Sequence, residues 1–314
     1  MTQMSIETYL NSLPEDTQNI NISGKYLHCL PDLTRFKNLK SLHCEFNKLT
    51  SLPPLESLQK LFCGYNKLTS LPPLNNLQEL HCNNNQLTSL PPLKNLQELY
   101  CDCNQLISLP PLNNLEILYC NNNILTSLPL FENLKCLACA CNQLTYLPPW
   151  EKLQKICCFK NKLTSLPPLK NLKSLNCSNN QLTSLPPLEN LKKLQCTNNQ
   201  LTSLPPLENL EELYCHKNQL TSLPLFNENL FIFSYVDNPI YEIINSDHKD
   251  IINEKMKLLN NFRYLYYCLK FKKRFRDWLW IKIREPRIRE RYSHDYLVAN
   301  LHEDTDLDDL LENW

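Results

Sequence analysis

Apolar residues along this chain return on a nineteen-residue period. In the stretch from Leu39 to Leu55, LKSLHCEFNKLTSLPPL, leucine stands at 39, 42, 49, 52 and 55, and Cys44 fills a further apolar slot. The pattern LxxLxCxxNxLTSLPPL then recurs. Its cysteine falls at Cys44, Cys63, Cys82, Cys101, Cys120, Cys139, Cys158, Cys177, Cys196 and Cys215, and an asparagine follows three residues later each time, from Asn47 to Asn218. A fixed period over so many copies means one structural unit stacked on itself. Within the unit, Leu42 and Cys44 alternate with Ser41, His43 and Glu45, which predicts a short strand. The remainder carries leucines at three-residue spacing and the pair Pro53-Pro54. Proline holds φ near −65° and cannot donate, so this part reads as an extended, polyproline-like return. Nineteen residues leave no room for an α-helix as well. Each unit is therefore a flat coil, too small to offset its own ordering entropy and stable only by stacking.

These residues resemble the leucine-rich repeat pattern LxxLxLxxNxLxxLPxL, with cysteine in the third apolar slot, over about residues 20 to 240. The resemblance implies a solenoid, the leucine-rich repeat horseshoe, with a parallel β-sheet on its concave face and an extended convex side. Ile20 to Leu33 reads as a divergent first rung with Lys25 in the asparagine slot. Leu230, Phe233, Tyr235 and Asn238 form a last one after a one-residue insertion around Phe226 to Asn229. That makes about twelve rungs. The asparagine column is read as structural, its amide satisfying backbone groups of its own and the neighbouring turn. The Thr-Ser pair, Thr50-Ser51 and its equivalents, is expected to do similar work at the next bend.

Solenoid ends need caps. Residues 1–19 form the N-terminal cap, with Ile6, Tyr9, Leu10 and Leu13 before Pro14 on a short amphipathic helix. Residues 241–314 form a helical C-terminal region, entered through Asn238-Pro239-Ile240-Tyr241. Ser246 or Asp247 caps a helix there that carries Ile251, Ile252, Met256, Leu258, Leu259 and Phe262. Lys255 to Arg291 holds thirteen Lys or Arg against three acidic residues, interleaved with aromatics such as Tyr264, Tyr266 and Trp278. Such a segment could dock on a membrane surface or nucleic acid, or be a packed cap helix with a solvated basic face. The last fourteen residues are acidic, from Glu303 through Asp309 to Glu312. The run from Phe275-Arg276-Asp277-Trp278 through Arg284-Glu285-Pro286 to Tyr292-Ser293-His294-Asp295-Tyr296-Leu297, with its acidic ending, resembles a C-terminal module of proteins from giant DNA viruses of amoebae. The whole chain resembles the mimivirus-type leucine-rich repeat proteins, although Tyr-Ser-His stands where that module more often has Tyr-His-Pro.

Composition removes several functions. Lys plus Arg equals Asp plus Glu at 32 each, and the only glycines of the 314 residues are Gly24 and Gly64. A dinucleotide fingerprint or a P-loop needs several glycines in one turn. The N-terminus lacks the basic-then-apolar order of a secretory signal, and no apolar run reaches a membrane span. Sixteen cysteines placed mostly by the repeat, without an export signal, point to a reducing compartment, the cytoplasm of a host cell. The ladder cysteines read as free thiols packed as small apolar groups.

The candidate binding surface is the concave sheet. Its central outward column opens with an unbroken run of rings, His43, Phe62, His81, Tyr100 and Tyr119, and returns to an aromatic at Tyr214. Glu79 and Glu98 border the run, as do Glu45 and Asp102, implying a partner of some basic character. Aromatics anchor protein interfaces; they also simply favour strands. Cys103, Cys136, Cys141 and Cys157 lie outside the ladder, but their spacing brings no tetrahedral set together, so neither a metal nor any other cofactor is assigned. Bacterial effectors join similar repeats to a ubiquitin-ligase domain with a catalytic cysteine. Here only about 75 residues follow the repeats, with Cys268 the one cysteine among them, so that domain does not fit and no enzymatic activity is expected. The reading is a protein-interaction scaffold that docks a host or viral protein on the concave face. Tethering through residues 255–291 to membrane or nucleic acid is the alternative.

Overall fold

The computed structural model describes residues 6–246 and 248–287. Asp247, the acidic ending from Glu303 to Trp314 and the segment from Arg289 to Leu297 lie outside the described residues, as does the side chain of Cys268. The chain divides into two compact units, one ending at Asn253 and one beginning at Glu254.

The first unit is a solenoid. A short helix α1 (Ile6–Asn11) is followed by twelve strands: β1 (Asn19–Asn21), β2 (Ser41–His43), β3 (Lys60–Phe62), β4 (Glu79–His81), β5 (Glu98–Tyr100), β6 (Ile117–Tyr119), β7 (Cys136–Ala138), β8 (Lys155–Cys157), β9 (Ser174–Asn176), β10 (Lys193–Gln195), β11 (Glu212–Tyr214) and β12 (Ile232–Ser234). All pair in parallel and in chain order, forming one twelve-stranded sheet. Register follows the repeat, so Leu42 faces Leu61 and Leu61 faces Leu80. From β1 to β11 the central residue of each strand is buried, and the first and third mostly face outward, as strand alternation requires.

Cys44, Leu49 and Leu58 show how one coil closes: strand, turn and return each send apolar groups into the same fully buried core. All ten ladder cysteines are fully buried free thiols. Burial pushes Cys177 and Cys215 up to about 12 and raises the other eight as well. They are uncharged packing groups at neutral pH. Three rungs replace the leucine after the proline stretch with larger groups, Phe131, Trp150 and Phe226, all buried; the Trp150 indole N–H finds no acceptor among the described residues.

The asparagine column holds the turns. Asn123 donates through Nδ2 to the carbonyls of Cys120 in its own rung (3.2 Å) and Cys101 in the preceding one (3.0 Å), while its Oδ1 accepts from the Leu106 N–H at 2.9 Å. The same set recurs from Asn47 to Asn238. The Thr-Ser pair does not follow suit: Thr50 and Ser51 are exposed and make no side-chain hydrogen bond among the described residues. The bend they occupy lies on the surface.

The residue two after each ladder cysteine takes the left-handed conformation, φ about 55°, from Phe46 to Lys217. In the first rung Gly24 fills this position at φ 64°. Lys25 stands in the asparagine slot there, and its backbone N–H donates to Asn47 Oδ1 of the next rung.

Both ends of the stack are covered. Arg35 reaches back with Nη2 to the carbonyls of Leu10 and Leu13, tying the end of α1 to the first rungs. After β12, Asn238 leads into α2 (Pro239–Ile244), whose Ile240 and Ile244 are fully buried. Proline at the first helical position suits a helix start, where its missing N–H is no loss. Asn253 bonds both the N–H and the carbonyl of Phe226, at 2.8 and 2.9 Å. Asn253 lies on α3 (Lys249–Leu279), which begins after Ser246 Oγ accepts from the His248 N–H. Of its expected apolar positions, Ile252 and Met256 are buried and Ile251, Leu258 and Phe262 exposed. A π-helical turn, Trp280–Arg284, follows. No helix among the described residues is long and apolar enough to cross a membrane.

Replacing Asn123 by Ala strands one N–H and two carbonyls in a buried turn. The expected loss is about 2–4 kcal/mol in urea unfolding; a loss below about 1 kcal/mol would show that water replaces the amide.

Candidate functional site

The strand register brings the ring column together. His43 and Phe62 stack with centroids 4.2 Å apart and planes 5° apart; Phe62 to His81 is 4.6 Å, His81 to Tyr100 is 4.1 Å and Tyr100 to Tyr119 is 4.9 Å. The spacing is that of neighbouring strands, so the sheet itself sets the stacking. Each such pair contributes about 0.5–1.5 kcal/mol beyond its buried area. All five rings are half-buried, with an edge or face left on the sheet surface. The run stops at Ala138 on β7. Tyr214, on β11, stands five strands beyond Tyr119 and does not join the stack.

The carboxylates are not equivalent. Glu79 accepts from Lys60 Nζ at 2.7 Å and lies 3.0 Å from His81 Nε2. Burial alone would raise its carboxyl, but these two neighbours hold it below the usual glutamate value. Glu98 receives the Tyr100 hydroxyl at 3.3 Å. Burial first, and the Glu98 charge second, push the Tyr100 phenol up to about 12. Asp102 is committed within the fold: its Oδ1 accepts from the backbone N–H and the side-chain amide of Asn121, at 2.8 and 2.7 Å. Desolvation raises its carboxyl despite those bonds.

Charge changes sign along the stack. Beyond β6, Lys135, Lys152, Lys173 and Lys192 line an open groove of about 640 Å³ before the strands. Lys135 and Lys192 are paired with Glu116 and Glu211, at 2.6 and 2.8 Å. The rings therefore sit beside Glu79 and Glu98, and the row of lysines lies further along the stack.

Two features escape a reading by strand alternation. The first is a second ring pair at the left-handed turn position, Phe46 and Tyr65, stacked at 4.5 Å and exposed by 59% and 48%. Alternation ends with the strand, so it does not say where a residue two beyond the cysteine points; the spacing C-x-[FY]-N was the available signal. The second is another asparagine column, before each strand. Asn76, Asn95 and Asn114 donate to the carbonyls of Glu56, Asn75 and Lys94 one rung back, at 2.9 to 3.0 Å. Its signal was the recurrent Asn-Leu that opens most repeats, with Ser57 and Lys152 as exceptions.

The cysteines outside the ladder are dispersed. Cys103 and Cys141 occupy left-handed turn positions; Cys136 lies on β7, its thiol 3.9 Å from the Tyr119 hydroxyl, and Cys157 on β8. Among the described residues no cluster of three or more His, Cys, Asp or Glu is arranged to hold a metal ion.

With this geometry in place, comparison with known proteins is informative. A family model described as Leucine Rich repeats (2 copies) matches residues 37–76, 56–95, 75–114, 151–190 and 189–228. No curated protein matches the chain. YopM from Yersinia enterocolitica WA-314 is 31% identical, with a TM-score of 0.62, over 71% of this chain and 56% of that one. YopM from Yersinia pestis, a leucine-rich effector protein, is 29% identical with a TM-score of 0.63, over 77% of each chain. The Leptospira interrogans leucine-rich repeat protein LIC12759 is 29% identical with a TM-score of 0.59, over 75% of this chain and 82% of that one. The present chain thus spans little more than half of the first of these. The sheet, its register and these matches show leucine-rich repeats over residues 37–114 and 151–228 and a leucine-rich repeat solenoid fold.

Thiol reactivity checks the burial pattern. Exposed Cys29 and Cys103 are expected to react with Ellman's reagent in the native protein, and the ten ladder thiols only after unfolding. Counting more native reactive thiols than the six cysteines outside the ladder would contradict it.

Proposed function

We propose that this protein is a protein-interaction scaffold whose partner docks on the concave sheet face, over His43, Phe62, His81, Tyr100 and Tyr119. The observation that carries the reading is the continuous stack of five half-buried rings on an otherwise polar sheet. Rings already packed against one another lose little side-chain entropy on binding, which suits them as anchors. Glu79 and Glu98 beside them favour a partner with basic groups, and Tyr214 offers a separate contact further along. A leucine-rich effector protein stands among the similar structures, which suits an interaction role. The likeness of the C-terminal segment to giant-virus modules makes a host or viral protein the partner class, met in the host cytoplasm. No catalytic role is assigned to any residue.

The test is a pull-down from amoeba lysate with the double substitution Tyr100→Ala and Tyr119→Ala. Loss of a specific partner with an unchanged circular dichroism spectrum is the expected result. An unchanged partner set sinks the reading.

A second reading concerns the helix that continues from Glu254. Tyr264, Tyr266 and Trp278 are exposed among Lys257, Arg263, Lys270 and Arg274, an arrangement suited to anionic surfaces. Tethering through this segment predicts binding of the full chain to anionic vesicles or duplex DNA that weakens as salt rises. Absence of binding to both removes it.

A further inference from the structure

The open groove beside the sheet has a chemistry of its own. It holds about 640 Å³ and is lined by polar and charged side chains alone. Two rows form it. The residue directly before each strand from β7 to β11 gives one row, in which Lys135, Lys173 and Lys192 stand. The residue two positions earlier gives the other, with Asn171, Asn190 and Asn209. Leu172 and Leu191, which separate the rows, are buried, so the residues on either side of them are left exposed. Strand pairing repeats both rows about every 4.8 Å.

The rows differ in what they offer a ligand. Asn171, Asn190 and Asn209 each donate through Nδ2 to a carbonyl one rung back, of Glu151, Lys170 and Glu189, at 2.8 to 2.9 Å. That bond orients the amide, and Oδ1 of each accepts no hydrogen bond among the described residues. The lysine row offers cationic donors. Its outer members are paired, Lys135 with Glu116 at 2.6 Å and Lys192 with Glu211 at 2.8 Å. Both pairs are solvent-exposed and exchange readily for another carboxylate. Lys173 lies between them and has no carboxylate partner among the described residues. Lys152, in the asparagine row, donates to a neutral oxygen, Asn133 Oδ1, at 2.7 Å. Four lysines line the groove against one carboxylate, Glu211.

We infer that this groove binds an extended acidic peptide segment of a partner, with carboxylates on the lysines and backbone N–H groups on the asparagine oxygens. An acidic peptide supplies acceptors and donors together, which is what the two rows require. A phosphate chain supplies acceptors alone. The bases of a single-stranded nucleic acid would find no aromatic ring on which to stack, since none lines the groove. From Lys135 to Glu211 the groove runs over four rung spacings, about 19 Å, the length of about six extended residues. Glu116 and Glu211, at its two ends, confine the acidic segment to the stretch between them. This surface is separate from the ring column and does not rest on the reading of it.

The probe is N-acetyl-hexaglutamate amide, titrated into the full chain labelled with ¹⁵N. The hexaglutamine peptide, tripolyphosphate and hexathymidylate are titrated alongside. Saturable shifts centred on Asn171, Lys173 and Asn190 are expected for hexaglutamate, and the binding is expected to weaken as salt rises. Lys152→Gln with Lys173→Gln is expected to lower affinity roughly tenfold, the scale of two exposed ion pairs. The melting temperature should not move, because both side chains are exposed. Full affinity in the double variant, or shifts confined to the basic helix beyond Glu254, overturns the inference by placing the peptide elsewhere. Equal binding of hexaglutamine overturns the charge argument. Equal or tighter binding of tripolyphosphate or hexathymidylate overturns the choice of a peptide. None of these outcomes touches the ring column, which the Tyr100→Ala and Tyr119→Ala pull-down tests by itself.

Discussion

Each buried asparagine is bonded to two rungs at once, and the rest of the solenoid depends on that bridge. Its amide nitrogen serves a carbonyl of its own rung and one of the rung before, and its oxygen takes an N–H from the rung before. The sharp turn after the strand would otherwise bury these groups unpaired, at a cost comparable to several lost hydrogen bonds. Once the bridge is made, the turn has one shape, with a left-handed residue directly before the asparagine. Strand length and the direction of every outward side chain follow from it. The exceptions support this. Where Lys25 replaces asparagine at the first rung, Asn47 supplies the N–H acceptor from the next rung and a glycine takes the left-handed turn.

The same turn makes the surface chemistry periodic. Every third strand residue falls into one column and every left-handed residue into another, so a change in a single rung adds one tile to an existing row. Rings in five consecutive rungs therefore become a stack with no loop having to place them. Phe46 and Tyr65 accept a conformation that costs ordinary residues about 1–2 kcal/mol, where Asn84, Asn122 and Asn179 adopt it more readily.

Electrostatics divides the sheet into two halves. The rings share their half with Glu45, Glu79 and Glu98, and Lys60 pairs with Glu79 there. The lysines collect in later rungs, where Glu116, Glu211 and Glu212 neutralise part of the row.

Much of the molecule was legible in the amino-acid sequence. Period, strand, proline-rich return, buried cysteines and the asparagine ladder all follow from a nineteen-residue repeat, because stacking forces identical positions into identical environments. The ring column from His43 to Tyr119 was legible for the same reason, since alternation assigns its residues to one face. Tertiary structure alone decided what alternation cannot reach. It turned Phe46 and Tyr65 out beside the first column, committed Asp102 to Asn121, and left Glu45 with an unpaired oxygen. Those outcomes depend on contacts between neighbouring rungs, where side chains nineteen residues apart compete for the same few ångströms, and a single copy of the repeat carries no record of that competition.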